Sequence, residues 1–286
     1  MEANKRPANH IGRATVQWRA DAAADPRQWA VGWARYYPLL LELTNRNVKT
    51  RYVQSVLGLY WVFINPLVTT AVLTVVFSLF VRVPVEDAPY FLFVLTGLLG
   101  WNFFANTLSD TTQSLLLYSS LLGKVPFPRE VLPTASVAAR VVDFAASAVV
   151  LLALVAVFFP QGLSPASLWL PVLLAVQLLL ALGVGFLVSM ANLFYRDVQQ
   201  LVQLLLTLGF FLTPLIYPKS LVPEKYQAFF LLNPVAVIIE GYRSVLLFHE
   251  SPDWPPIAVS AVMSVVVFVI GYWAFKRWEP LFAERV

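Results

Sequence analysis

The sequence predicts an all-α integral membrane protein: six transmembrane helices, an amphipathic interface helix before the first, and short re-entrant helices between the fifth and sixth. Three observations predict it. Of 286 residues, 59% are hydrophobic and 13% charged, with a mean hydropathy of +0.70. A soluble domain holds roughly 45–50% apolar and about 25% charged residues, so a water-soluble globule and a disordered chain are both excluded. Six runs are long enough to cross the hydrocarbon, which takes roughly 20 apolar residues. Finally, fifteen of the 20 Lys and Arg fall on one side of those runs. The absence of cysteine removes disulfides and thiolate metal sites, and the two histidines, His10 and His249, are too far apart in the chain to suggest an imidazole cluster.

The elements follow in order. Residues 1–35 are expected to form a flexible cytoplasmic tail, and the first 38 residues hold no apolar core of a signal peptide. Leu39–Gly58 places Leu41, Val48, Tyr52 and Val56 on one helical face and Arg46, Asn47, Thr50, Arg51 and Gln54 on the other. That pattern suits a helix lying in the inner interface, with Lys49 snorkelling at its edge; it serves as an anchor or as a working contact. The spans are expected at about 59–81, 90–108, 134–159, 168–193, 198–216 and 257–275. Residues 276–286 form a second cytoplasmic tail. The Lys and Arg bias puts both termini inside. Residues 217–250 are apolar but broken by Pro218, Pro223 and Pro234. The pieces Tyr226–Leu232 and Val235–Phe248 are too short to cross, so a re-entrant or interfacial pair is expected. A seventh span is the alternative, and it would put Lys276 and Arg277 outside.

No phosphate-binding loop occurs, since the single Gly-Lys pair, Gly123-Lys124, is followed by Val125. There is no HExxH, no G-x-S-x-G and no soluble segment large enough for a catalytic domain. The chain is therefore expected not to be an enzyme, and to draw energy from an ion gradient or a partner. The loop Tyr118–Pro133 is stiffened by Pro126, Pro128 and Pro133 and presents Phe127 among Lys124, Arg129 and Glu130. It suits docking on another protein, or it is a plain connection. The turn at Asn192–Leu201 carries Arg196 and Asp197, and Gln199, Gln203 and Thr207 follow at i, i+4, i+8. Such a stripe lines a hydrophilic path or hydrogen-bonds between packed helices. Glu240 with Arg243, and Arg140 with Asp143, are i, i+3 pairs at membrane depth, where structural pairing is expected over a proton relay. Tyr60, Trp61 and Tyr90 suit an aromatic belt, but Trp101, Asn102, Phe103, Phe104 and Asn106 lie deeper. Rings mixed with amides are the chemistry on which sugars slide.

The runs RNVKTRYVQSVLGLYWVFINPL (Arg46–Leu67), KVPFPREVLP (Lys124–Pro133), NLFYRDV (Asn192–Val198) and NPVAVIIEGYRSVLL (Asn233–Leu247) resemble, in the same order, segments of type-two ABC exporter permeases. The likeness is to the branch that exports O-antigen, capsular polysaccharide and teichoic acid, and it covers about residues 36–280. It implies a permease that works as two copies with two copies of a separate ATPase, ATP and Mg being bound there and no cofactor here. It implies ATPase coupling through Arg46, Lys49, Arg51, Lys124, Phe127, Pro128, Arg129, Glu130, Arg196 and Asp197, with a coupling helix at about Leu115–Pro133. A translocation path is expected along Tyr60, Trp61, Phe63, Asn65, Trp101, Asn102, Phe104, Asn106, Gln199 and Gln203. An outer gate is expected at Tyr217, Tyr226, Phe229, Phe230, Glu240 and Arg243. The resemblance places the chain in the inner membrane with a lipid-linked polysaccharide as substrate. A drug or small-lipid exporter of the same architecture is the alternative. A membrane-embedded glycosyltransferase is disfavoured, because nothing cradles a phosphate beside the outer-loop acids Glu86 and Asp87.

Overall fold

The computed structural model describes residues 26–53, 55–85, 88–122, 127–159 and 164–284. Among these the chain is helix and turn, with no strand. Two units are distinguished, Met1–Tyr37 and Pro38–Val286. Of the first, residues 26–37 are described, and they are helical. The expected tail at 1–35 therefore lies largely outside the described residues.

The helices are α1 (Pro26–Tyr52), α2 (Trp61–Phe80), α3 (Tyr90–Leu117), α4 (Ser119–Leu122), α5 (Val131–Phe158), α6 (Trp169–Phe194), α7 (Val198–Leu212), α8 (Glu224–Leu231), α9 (Pro234–Leu246) and α10 (Trp254–Trp278). The last turns of α2, Val75–Phe80, widen to a π-helix. By length and composition, α2, α3, α5, α6 and α10 are able to cross a membrane. The run expected as span five is shorter: its helix ends at Leu212. Pro214 disfavours helical backbone at Thr213 and offers no N–H of its own. At 1.5 Å per residue, its 15 residues reach only about 22 Å.

α3 is the axis of the bundle, packed against α2, α5, α6, α7 and α9. Some 72% of its most apolar window is buried, against 11% for α2 and 17% for α5. Yet α3 is the least hydropathic of the five long helices. In a bilayer the burial rule inverts in this way: polar side chains need protein partners, while apolar faces are already solvated by lipid tails. Three amides serve as those partners. Gln177 on α6 donates from Nε2 to the Gly100 carbonyl at 2.7 Å and accepts from the Tyr242 hydroxyl at 2.9 Å. Asn192 donates to the Thr112 carbonyl at 2.8 Å and accepts from the Gln199 N–H at 3.1 Å, joining α6, α3 and α7. Asn233 caps α9 through the Val235 and Ala236 N–H groups and donates to Thr213 Oγ1 at 3.0 Å. α6 and α10 touch backbone to backbone at Gly183 and Gly271, where a Cβ on Gly271 would collide with the Gly183 carbonyl; small residues permit this approach.

Candidate functional site

The last turn of α1, the lower third of α3 and the first half of α5 meet in a cluster of four charges. Arg51 bridges Asp110 (2.5 Å) and Asp143 (2.5 Å). Arg140 holds Asp110 by Nε at 2.7 Å and Nη2 at 2.9 Å, and Asp143 by Nη1 at 3.2 Å. The Tyr52 hydroxyl donates to Asp143 Oδ1 at 3.0 Å. Burial, then the charge and hydrogen bond of Asp143, push the Tyr52 phenol up to about 12. The expected Arg140–Asp143 pair is present, but as half of a network spanning three helices. The inward stripe of α1 is mixed: Leu43 and Asn47 are buried, with Asn47 accepting from the Tyr118 hydroxyl at 2.6 Å, while Arg46 and Thr50 stay exposed. Its apolar Leu41 is exposed, as are Val53, Val56 and Leu57 just beyond it. The helix stops at Tyr52, short of the expected end at Gly58.

Of the residues expected to couple to an ATPase, Arg46 and Lys49 are exposed, and the Arg46 guanidinium lies 5.2 Å from the Tyr118 ring centre. Arg51 is instead committed to the charge cluster. Lys124 lies outside the described residues. Phe127 and Pro128 are half-buried. Arg129 and Glu130 turn inward onto the end of α10. Arg129 donates to the Glu279 side chain and backbone carbonyl, and Glu130 is buried beside Lys276 Nζ at 2.7 Å. Burial raises the Glu130 carboxyl and Glu279 adds to that, while Lys276 opposes. The coupling helix expected over Leu115–Pro133 is, among the described residues, the end of α3, the single turn α4 and the start of α5. Arg196 and Asp197 are exposed on the α6–α7 turn.

The residues expected along a path separate into three groups. Tyr60, Trp61 and Asn65 are exposed on or just before α2, and Phe63 is half-buried. On α3, Asn102 and Phe104 are half-buried and Asn106 is exposed; on α7, Gln199 is half-buried and Gln203 exposed. Gln203 donates to Ser109 Oγ at 3.0 Å, so the polar edges of α3 and α7 adjoin. Trp101 departs from the expectation: it is 6% exposed and packs on Phe104, Phe210 and the Cβ-free face of Gly209. An α3 that carries Asn102 and Asn106 on one side directs Trp101, one residue away, into the core.

At the opposite end of α3 the chain breaks between α7 and α8, and here three successive carbonyls are bonded by side chains. The carbonyls of Pro214 and Leu215 accept from Arg243 at 2.7 Å each. That of Ile216 accepts from the Tyr90 hydroxyl at 2.6 Å. Arg243 is wholly buried, with its guanidinium 3.6 Å from the Phe93 ring centre. Its contact with Glu240 is the weakest at 3.4 Å, and the Glu240 side chain is 39% exposed. The expected pair is present, but the carbonyls are the main partners. Tyr217 donates to the Phe211 carbonyl at 3.2 Å. Tyr226 is exposed under Lys225, and Phe230 is half-buried. The Phe229 side chain lies outside the description.

The profile of the ABC-2 type transporter family matches residues 38–247. The chain belongs to this family. Its likeness to individual members runs nearly end to end. It is 32% identical over 254 residues to the O-antigen export system permease protein RfbA of Myxococcus xanthus, covering 88% of this chain and 96% of that one. To RfbA of Klebsiella pneumoniae it is 30% identical over 251 residues, covering 87% and 95%. To the polysialic acid transport protein KpsM of Escherichia coli it is 21% identical over 238 residues, covering 82% and 91%. Members of the family are membrane subunits of transporters, which agrees with the multi-helix, apolar architecture.

Proposed function

We propose that the chain is the permease subunit of an ABC exporter that moves a lipid-linked polysaccharide (an O-antigen, capsule or teichoic-acid-like polymer) across the inner membrane. The observation that carries the substrate class is the likeness to two O-antigen export permeases over at least 95% of their length. The geometry agrees with a conduit. Asn106, Gln203 and Thr207 are exposed on adjoining helices at membrane depth, and polar groups there must face water, a polar ligand or another protein. A second copy facing this edge would enclose a path lined by amides, with Phe104 and the aromatic end of α2 as stacking surfaces.

The chain crosses the membrane six times in this reading, with α7 as the short fifth span and both termini cytoplasmic. α8 and α9 form the re-entrant outer pair, supported by the Lys and Arg bias and by the backbone accounting around Arg243. Two copies work with two copies of a separate ATPase, which holds ATP and Mg and docks on Arg46, Lys49, Lys124, Phe127, Pro128 and the Arg196–Asp197 turn. The site's chemistry is binding and conformational change, with no bond made or broken in this chain.

The test is to delete the gene and follow surface polymer, while co-purifying the tagged chain with candidate ATPases. The expected result is loss of surface polysaccharide, polymer accumulating inside, and one ATPase held in equal amount. Normal surface polymer with altered drug tolerance would favour a small-molecule exporter. Because the chain lacks cysteine, single cysteines at Lys219 and Arg277 report the topology: labelling of both from the same side overturns the six-span reading.

A further inference from the structure

After α10 the chain makes a 3₁₀ turn, Glu279–Glu284, and folds back. Phe282 is wholly buried, with its ring 5.1 Å from Phe275 on α10 and 6.1 Å from Phe194 at the foot of α6. Phe194 also meets Trp278 at 5.8 Å. Glu279 gathers the neighbours: its Oε1 accepts the Arg129 backbone N–H at 3.1 Å, and its Oε2 accepts from Lys276 at 2.9 Å. Its carbonyl accepts from the Arg129 guanidinium, which also reaches the Leu122 carbonyl of α4 at 3.4 Å and lies 5.9 Å from the Phe282 ring centre. Lys276 lies between Glu130 and Glu279 at 2.7 and 2.9 Å. One turn of chain therefore holds the α4–α5 loop, the foot of α6 and the foot of α10. A connecting tail would need none of this. A charge-assisted bond fixes geometry as well as adding energy, and Glu279 makes one on each carboxylate oxygen.

We propose that this turn is a clasp that makes the α4–α5 loop and the feet of α6 and α10 move as one body. A displacement of the loop by the partner ATPase would then be delivered to α10 directly. The inference rests on the reading of that loop as the ATPase contact. Arg129 and Glu130 become positioning residues: they bind the start of α5 to the foot of α10. Arg196 and Asp197, one turn past Phe194, ride on the same body.

The experiment uses the whole transporter, chain plus ATPase, in proteoliposomes, and reads polymer moved per ATP hydrolysed. Lys276→Glu sets three carboxylates together, and Glu130→Lys sets two ammonium groups together. Each single variant is expected to lower that ratio about tenfold, with ATPase co-purification within twofold of the parent chain. The double swap Glu130→Lys/Lys276→Glu rebuilds the pair and is expected to recover most of the ratio. Unchanged coupling in both single variants overturns the clasp, as does a double swap no better than either. Should the single variants fail to reach the membrane, a second arm applies. Cysteines at Phe194 and Phe282, the only thiols in the chain, are bridged by a short bis-thiol reagent. Export that survives bridging supports a clasp that stays shut through the cycle, and export that stops and returns on release overturns it. A parent chain that holds no ATPase removes the docking reading itself, a result visible before any variant is made.

Discussion

Arg243→Leu is expected to cost most of the folded protein. The substitution is nearly isosteric in its stem and removes a wholly buried guanidinium. It leaves the Pro214 and Leu215 carbonyls without their 2.7 Å donors. Hydrogen bonds to charged groups contribute about 1.5–3 kcal/mol each, and a stranded buried acceptor costs about 1–3 kcal/mol. The sum is a large part of the roughly 5–15 kcal/mol that holds an ordinary domain together. The readouts are membrane abundance and the melting temperature of the detergent-solubilised chain. Arg243→Lys should recover little, because one ammonium cannot reproduce a planar fork reaching two successive carbonyls. Glu240→Gln should be mild, since the Glu240 contact is long and its side chain partly exposed. Equal losses from Glu240→Gln and Arg243→Leu would show that the ion pair, not the carbonyls, is the essential partner. Gly97 supports the same view: a Cβ there would strike the guanidinium, so Gly97→Ala is expected to weaken the chain in the same direction.

The break itself was legible in the sequence, and its anchor was not. Pro218, Pro223 and Pro234 announced an interrupted segment, and Asn233-Pro234 announced the start of α9, with its cap and its N1 proline. The i, i+3 spacing of Glu240 and Arg243 pointed to each other. Nothing local pointed Arg243 at carbonyls 28 and 29 residues away. An arginine's reach across a bundle is a tertiary property, and the signal that was available was only that a membrane-depth cation must find acceptors. The end of α7 at Leu212 was also present in Pro214, one residue after Thr213, but the apolar composition through Ile216 masked it.

The inner half shows a different kind of misreading. Ser109-Asp110-Thr111-Thr112-Gln113-Ser114 is polar, and the expected second span stopped before it at Leu108. α3 in fact runs to Leu117. Its threonine and serine hydroxyls bond back to carbonyls three or four residues earlier, such as Thr112 to Leu108 at 2.6 Å and Thr111 to Thr107 at 2.8 Å. Satisfied in this way, a polar run continues a buried helix. Ending the span at 108 left out Asp110, the one carboxylate of α3 and the partner of both Arg51 and Arg140. The assignment of Arg51 on α1 missed its partners for the same reason. Arg51, assigned to a partner protein, had acceptors inside its own chain, while Arg46 and Lys49 beside it stay exposed. For Gln203 the interhelical reading is present in the structure: the amide bonds across to Ser109 and stays exposed at that edge.

The four-charge cluster yields the second large effect. It holds two arginines and two aspartates, so it is neutral as built, with side chains 11–26% exposed. Arg140→Leu leaves Asp110 and Asp143 sharing Arg51 alone. Removing one partner from a buried ionic group costs about 3–5 kcal/mol, and partial exposure puts this case toward the lower end. The expected result is a lower melting temperature, with faster proteolysis between α1 and α2, because Arg51 and Tyr52 are what pin the end of α1 to α3 and α5. Arg140→Leu/Asp110→Asn removes a charge of each sign and leaves the Arg51–Asp143 contact at 2.5 Å with Tyr52 beside it. The double variant is therefore expected to be more stable than Arg140→Leu alone, with a coupling of about 0.5–3 kcal/mol. The pH dependence follows from Tyr52. Its phenol is pushed up from 10 to about 12, so its contribution is full below the ordinary value and is lost as pH rises through the folded one. The latch should thus hold at pH 9 and loosen in stronger base, and Tyr52→Phe should remove that alkaline step. A double variant less stable than the single would mean that Asp110 does more than balance charge. It would then be the anchor around which both arginines, and through them α1 and α5, are arranged.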